Sequence, residues 1–362
     1  MNSTFFCRYT QSMTTLTQTA IMTRKVIRYI LYFMIFLIVG KVVLDVTLGI
    51  YRKIFPPPPP PATIAFGKLP KLPFEQNQNI PELNLSVETP DGKLPKFPTQ
   101  MKVYFMPKPS QTQLNLDETR KRVAALGFSP DGVQDPTRET FYSFPNKNAL
   151  STLETNIASG AFSISYDLAS EPSVLDRVPP APEVAVSQVR SFISSAGLLP
   201  DDLTGPSKHE FLRAEGGRFV TALALSDADV VKVNLFRKDF EKYPSVTLNP
   251  NEGNVWFMVG GERDRAKQMI AGEFHYFAVD ETKFATYPTK TSEVALAELM
   301  DKKGFVTLLG ANDSGNIVIR RVYLAYFDPP TPSDFFQPII VFEGDNGFVA
   351  YVPAVAPDYY GE

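Results

Sequence analysis

Hydrophobic positions along the chain fall into two regimes. The first is one long apolar run at 29–50, with Arg24, Lys25 and Arg28 before it and Arg52 and Lys53 after it. As a helix rising about 1.5 Å per residue it covers about 33 Å, close to the thickness of a hydrocarbon core. The second regime is mixed, and shows helical spacing three times. The segment 117–126, with Asn115 or Asp117 as N-cap, runs into Gly127-Phe128. The segment 183–196 has Pro182 in its first turn, an apolar stripe of Ala185, Val189, Phe192 and Ala196, and ends at Gly197-Leu198. The segment 292–303 stacks Ala295, Leu296, Leu299 and Met300 before Gly304-Phe305. In each, a glycine at a left-handed stop precedes an apolar residue that folds back onto the last turn.

Period-two alternation fills the spaces between these helices. It predicts strands at 139–144, 152–157 and 162–168 after the first helix. After the second they fall at 210–214, 219–225, 230–236, 255–259 and 269–279. After the third they fall at 306–309, 317–326, 338–342 and 348–352, the last two joined by the hairpin signal Gly344-Asp345-Asn346-Gly347. Several of these strands alternate apolar with polar residues, so that one face meets a helix and the other meets solvent. The expected fold class is α+β: a single transmembrane helix, then small antiparallel sheets each packed by one helix. The expected organisation is 1–28 cytoplasmic, 29–50 anchor, 51–99 stalk and arm, then α+β modules at 100–180, 181–284 and 285–362.

Proline punctuates the segment after the anchor. Pro56 to Pro61 read as a polyproline helix of about 19 Å. Gly67-Lys68-Leu69-Pro70-Lys71-Leu72-Pro73-Phe74 recurs as Gly92-Lys93-Leu94-Pro95-Lys96-Phe97-Pro98, with alternation at 83–89 between them. Leu69, Leu72, Leu94 and Phe97 need burial, so this is expected to be an extended arm packed on the first module.

Composition refines the picture at two points. The 362-residue chain carries a net charge of −3, but residues 1–61 hold seven Lys/Arg and one acid, leaving 29 basic against 38 acidic residues beyond, about −9. An acidic domain argues against nucleic acid held by bulk charge. Its one cysteine, Cys7, precedes the anchor, so no internal disulfide is expected. Arg24, Lys25 and Arg28 outnumber Arg52 and Lys53, which places the amino end inside and the domain outside. Residues 46–49 lack a small-x-small cleavage pattern, favouring an uncleaved signal anchor over a signal peptide. Met13 or Met22 are alternative starts. Lys41 and Asp45 share one helix face. They are expected either to satisfy each other as an i, i+4 pair near the outer surface, the preferred reading, or to meet a partner's membrane helix.

Catalytic motifs do not emerge. His209 and His275 sit in strand patterns without an His-Glu-x-x-His or nucleophile elbow. Asp201-Asp202, Asp227/Asp229, Asp313 and Asp345 read as turn chemistry, as does Asn312-Asp313-Ser314-Gly315-Asn316, which lacks calcium-loop spacing. Gly260-Gly261-Glu262-Arg263 is no phosphate cradle. No catalytic residue, cofactor or metal is therefore assigned. Candidate contacts are Lys41, Asp45 and the aromatics Tyr323, Tyr326, Phe335 and Phe336, with strand addition at a sheet edge as the expected mode of recognition.

The carboxy-terminal order is Ala285-Thr286-Tyr287-Pro288, the helix at 292–303, then 317–327, 337–343 and 348–354. Together with the anchor-and-ectodomain layout, it resembles extracytoplasmic regulators of the YycH/YycI type. That resemblance implies PepSY-like modules and a non-enzymatic role through contacts with a membrane partner such as a sensor kinase. The proline stalk and Lys-Leu-Pro arm depart from that pattern. The expected function is a membrane-anchored envelope protein that binds a protein or peptide. The alternatives are a carboxylate-dependent cell-wall hydrolase and a purely structural or adhesive surface protein.

Overall fold

The computed structural model describes residues 16–54, 60–74, 80–108, 116–312 and 315–361. Cys7, Met13, Pro56 to Pro59, Asn115 and Asp313 lie outside them, and with them most of the expected polyproline stalk. The chain divides into two compact units, Met1–Pro61 and Ala62–Glu362.

The first unit contains helix α1 (Leu16–Ile54), 39 residues and so about 58 Å long. Within it Ile21–Tyr51, with mean hydropathy 2.2, is apolar and long enough to cross a membrane; a signal anchor and a signal sequence both fit that description. Lys41 and Asp45 are exposed, and among the described residues neither has an ion partner within 4.0 Å. The expected self-satisfied pair is thus corrected. A base preceding an acid by four residues is the weaker order for such a pair on a helix.

In the second unit β1 (Asn84–Val87) and β2 (Gln100–Phe105) precede α2 (Leu116–Ala125). Next come β3 (Val133–Gln134), β4 (Phe141–Pro145), β5 (Ser151–Asn156) and β6 (Phe162–Tyr166). Helix α3 (Pro182–Ser195) leads into β7 (Ser207–Glu215), β8 (Arg218–Thr221), β9 (Val230–Leu235) and β10 (Ser245–Val246). Then follow β11 (Val255–Gly260), β12 (Met269–Phe274) and β13 (Asp280–Pro288). Helix α4 (Ser292–Met300) leads into β14 (Phe305–Leu308), β15 (Asn316–Phe327), β16 (Phe335–Phe336), β17 (Pro338–Gly344) and β18 (Val349–Pro353). The class is α+β, with three mostly antiparallel sheets and few helices.

Helix termini follow local chemistry. Phe128 and Leu198 donate their N–H groups back to Val123 and Ile193, closing α2 and α3 around the left-handed Gly127 and Gly197. At α4 the left-handed residue is Lys302 (φ 60°), not Gly304, and Lys303 donates to Glu298. Gly304 is needed for space instead: a Cβ there would lie 2.7 Å from the Leu299 side chain.

The nine-stranded sheet runs β3-β4-β5-β6-β12-β11-β9-β7-β8. Strands from both sides of position 180 share it, because β6 pairs antiparallel with β12. Phe162 stacks on Phe274 across that seam, with ring centroids 5.0 Å apart. Both α2 and α3 cover one face through Val123, Leu126, Ala185, Val189 and Ile193. The six-stranded sheet runs β1-β15-β17-β18-β14, with β10 also on β15, and α4 packs on one face. A three-stranded sheet, β13-β2-β16, completes the unit. So β2 and β13, some 180 positions apart, pair with each other.

The arm docks where it was not expected. It meets the carboxy-terminal sheets, and of the expected first module only β2, the strand that pairs with β13 and β16. β1 pairs in parallel with β15, and Leu69 is fully buried against Val103, Ala285, Tyr287 and Val355. Phe74 stacks on Phe305 and sets its edge against Phe327, each with centroids 5.0 Å apart. Leu94 and Phe97 pack half-buried on the α4 side. Of the arm's apolar side chains, Leu72 and Phe74 cover the α4-free face of the six-stranded sheet, against Ala325, Phe327, Ile339, Val341 and Tyr351.

Candidate functional site

On the face of the nine-stranded sheet that the helices cover, the carboxy-terminal end of α2 and the polar side of α3 border a cleft. Ser195 Oγ donates to Ala125 O (3.1 Å), tying the end of α3 to the end of α2. From there a cleft of about 970 Å³ runs along α3. One wall is the outward face of that helix: Glu183, Ser187, Gln188, Ser191 and Ser195, opposite the buried stripe. The other wall is Asn146, Asn148 and the β11–β12 loop with Arg263 and Arg265. Phe128, Phe192 and Met269 supply apolar floor.

The loop is held from behind. Glu171 accepts hydrogen bonds from Tyr166 Oη (2.5 Å) and from Lys267 Nζ. The bond from Lys267 draws the Glu171 carboxyl below the usual range, while burial, then Glu171, pushes the Tyr166 hydroxyl up to about 12. Arg177 pairs with Glu262 (2.9 Å), and Gly261 lies so close to that segment that a Cβ would sit 2.3 Å from Val178 O. With its neighbours fastened, the loop presents Arg263 and Arg265 exposed, without an ion partner among the described residues. Two buried acceptors on the cleft, Gln188 Oε1 and Ser151 Oγ, have no hydrogen-bond partner; Ser151 is 3% exposed. Native folds rarely leave such atoms unmet. The cleft therefore offers hydrogen-bond groups on both walls, two free cations and an apolar floor.

Sheet edges differ in what they offer. The nine-stranded sheet ends in β3, two residues long, and β8, four, short edges that template little pairing. On β15 the outer edge carries β1 at Asn316–Ile319 and β10 at Tyr326–Phe327. Among the described residues no strand pairs with 320–325 on that side. Tyr326 N donates outward to Pro244 O (2.8 Å) and Phe327 N inward to Gln337 O (3.0 Å). By alternation, Val322 and Leu324 turn their backbone groups outward into this gap.

The aromatic candidates part company here. Tyr326 and Phe336 are both fully buried and stack on each other (5.2 Å, 7°), so the expectation of a surface contact is corrected: both are core side chains. The register of β15 turns Tyr326 inward, where its hydroxyl bonds Lys102 O. Phe335, half-buried, packs on Phe66 (4.9 Å), a residue of the arm. Tyr323, also half-buried, donates to Glu343 (2.6 Å) beneath Arg321. None of the four lines the cleft.

Asp202, Asp229 and Asp345 take structural roles. Asp229 accepts from Ala214 N, Asp345 pairs with Arg320, and Asp202 joins a buried cluster between the two larger sheets. There Arg237, its side chain fully buried, donates to Asp202 (2.5 Å), Asp328 (2.9 Å) and Phe277 O (2.5 Å) and lies over the Tyr276 ring. Tyr276 donates in turn to Asp202. Burial lowers the tendency of the guanidinium to stay charged, and the two carboxylates more than restore it. Burial also raises the Asp328 carboxyl, with Arg237 opposing. These two close carboxylates share one cation and are enclosed, unlike a pair flanking a substrate cleft. His209 lies exposed near Phe211, and His275 Nδ1 sits 3.2 Å from Pro330 O. Among the described residues no group of three or more His, Cys, Asp or Glu is placed to hold a metal.

Sequence reasoning passed over the cleft residues. One signal was present: Ser187, Ser191 and Ser195 recur every four positions opposite the apolar stripe. Compared with known protein families and curated proteins, the chain matches none. Among solved structures it is similar to an uncharacterized protein from Eubacterium rectale, at 11% identity over 77% of this chain and 90% of that one. The TM-score is 0.38, too low for the likeness to bear on fold or function.

Proposed function

We propose that the protein is a non-enzymatic binding protein, held at the outer face of a membrane by α1, that takes an extended polypeptide of an envelope partner in the α2–α3 cleft. The observation that carries this reading is the cleft itself, with unmet acceptors at Gln188 and Ser151 and the free cations Arg263 and Arg265. An extended backbone supplies donors for the first pair, and a carboxylate suits the second. The order helix, then antiparallel strands occurs three times, at α2–β6, α3–β12 and α4–β18. That supports three PepSY-like units, two of them fused edge to edge through β6 and β12. It fits a regulatory role toward a membrane partner such as a sensor kinase, and the charge of the outer unit fits a partner other than nucleic acid.

The test is a photo-crosslinking amino acid at Ser191 in the full chain, in its own membranes. The expected product is a protease-sensitive adduct, lost when Ser187→Trp fills the cleft and weakened by Arg263→Glu with Arg265→Glu. Adducts sensitive only to glycan-cleaving enzymes would overturn the reading in favour of a wall-glycan ligand. A second reading, strand addition at the β15 gap, is favoured by the outward backbone groups of Val322 and Leu324.

A further inference from the structure

Of the charged groups in α1, Lys41 and Asp45 lie deepest between the flanking Arg28 and Arg52: at a rise of about 1.5 Å per residue, Lys41 is about 20 Å along the helix from Arg28 and Asp45 about 10 Å from Arg52. The structure leaves both exposed and unpaired among the described residues. In hydrocarbon, such side chains turn toward a partner of opposite charge. Their setting is specific. Met34, Ile38, Lys41, Asp45 and Leu48 follow each other at alternating spacings of four and three, the pattern of a seam along which two parallel helices pack.

A second copy of this chain answers that face without remainder. Each helix brings one base and one acid, four residues apart on the seam. A two-fold axis parallel to the helices sets Lys41 of each copy against Asp45 of the other, giving two equivalent pairs with no charge left over. The axial offset is about 6 Å, within reach of a lysine side chain between helices about 8–10 Å apart. A different membrane partner would need to bring its own acid and base in matching order, whereas two-fold symmetry supplies the match by construction of the interface. All copies insert in the same orientation, so the parallel arrangement is the one available to them.

We infer that α1 is a homodimerisation helix, locked by reciprocal Lys41–Asp45 ion pairs between two copies. This rests on α1 staying in the membrane as an anchor. The test uses the full chain carrying two different tags, co-expressed, with co-purification from mild detergent and energy transfer in membranes as readouts. Wild-type copies should associate. Lys41→Asp, which gives two acids on the seam, and Asp45→Lys, which gives two bases, should each weaken self-association about three- to thirtyfold per pair lost. Mixed together, these two variants should recover association with each other, because the acids of one then face the bases of the other. The double exchange Lys41→Asp with Asp45→Lys should self-associate like wild type.

Alkaline carbonate extraction of every variant separates the two ways of failing. If the chain remains in the membrane but the two single variants neither lose self-association nor rescue each other, the dimer is refuted and the anchor stands. If carbonate releases the wild-type chain, the anchor and the dimer both fall, while the cleft remains to be judged by its own crosslinks.

Discussion

Replacing Arg237 by methionine tests whether the two larger sheets depend on their buried ionic joint. The side chain is fully buried and holds Asp202, from the nine-stranded side, to Asp328, which follows β15. Methionine preserves much of the volume and removes the charge, leaving two enclosed carboxylates without a cation. Removing one partner of a buried pair costs about 3–5 kcal/mol, and two stranded acids place this case near the upper end. Against a total stability of about 5–15 kcal/mol, that is a large share. The penalty also depends on pH, with a definite sign. Burial raises the Asp328 carboxyl in the folded state, so the folded chain keeps a proton that the unfolded chain releases. Stability from this group is full below the ordinary carboxylate range and declines as pH rises through it toward the folded value. Without Arg237 to oppose burial, that decline steepens. Denaturant unfolding of the unit 62–362, followed by far-UV circular dichroism and by fluorescence of Trp256 on β11, should therefore show a smaller cost at pH 5 than at pH 7. Adding Asp328→Asn should recover part of it. In the variant the two signals should separate, since Trp256 reports only the nine-stranded sheet. A cost under about 1 kcal/mol, or one equal at both pH values, would refute the reasoning.

Phe74→Ala removes the stack on Phe305 and the edge contact with Phe327, and should cost about 2 kcal/mol, less than a fully buried phenylalanine because Phe74 is half-buried. Limited proteolysis should then cut within 62–74 before any other site; unchanged protection would show that the arm is held elsewhere. Amide exchange resolved by residue should be faster at Val322 and Leu324 than at Tyr323 and Ala325, whose N–H groups face β17. Equal protection at all four would mean that the outer edge of β15 is already covered.

Much of the fold was legible because its signals are local. The apolar spacing of 183–196, the glycine stops after α2 and α3 and the Gly344–Gly347 turn each act within a few residues of themselves. Even there packing adjusted details: Ile193 joins the core below α3, and Phe192, half-buried with its edge against Phe257, also borders the cleft. What escaped was non-local. β2 alternates visibly, but its partners β13 and β16 lie far along the chain, and the pairing of β6 with β12 follows from neither strand alone. Aromatic clusters read the same whether they face a ligand or a core, and only the register of β15 decided for Tyr326. The cleft was hidden for a related reason. Its walls come from α3, the β4–β5 turn and the β11–β12 loop, and Arg263 gains meaning only beside Ser191.

The docking of the arm on the last strands sets a timetable for the chain. Pro70 accepts a hydrogen bond from Gln337, 267 positions later, and Leu69 exchanges backbone bonds with Tyr359 and Gly361. At about 5–20 residues per second, synthesis separates these partners by roughly 13–53 s. Throughout that interval the apolar arm has left the ribosome and has nowhere to dock. Its prolines then matter for a reason apart from the finished fold: each lacks an N–H and blocks pairing with a neighbouring chain. The Lys-Leu-Pro repeat is thus suited to waiting, keeping the arm unpaired until residues 316–361 arrive to receive it.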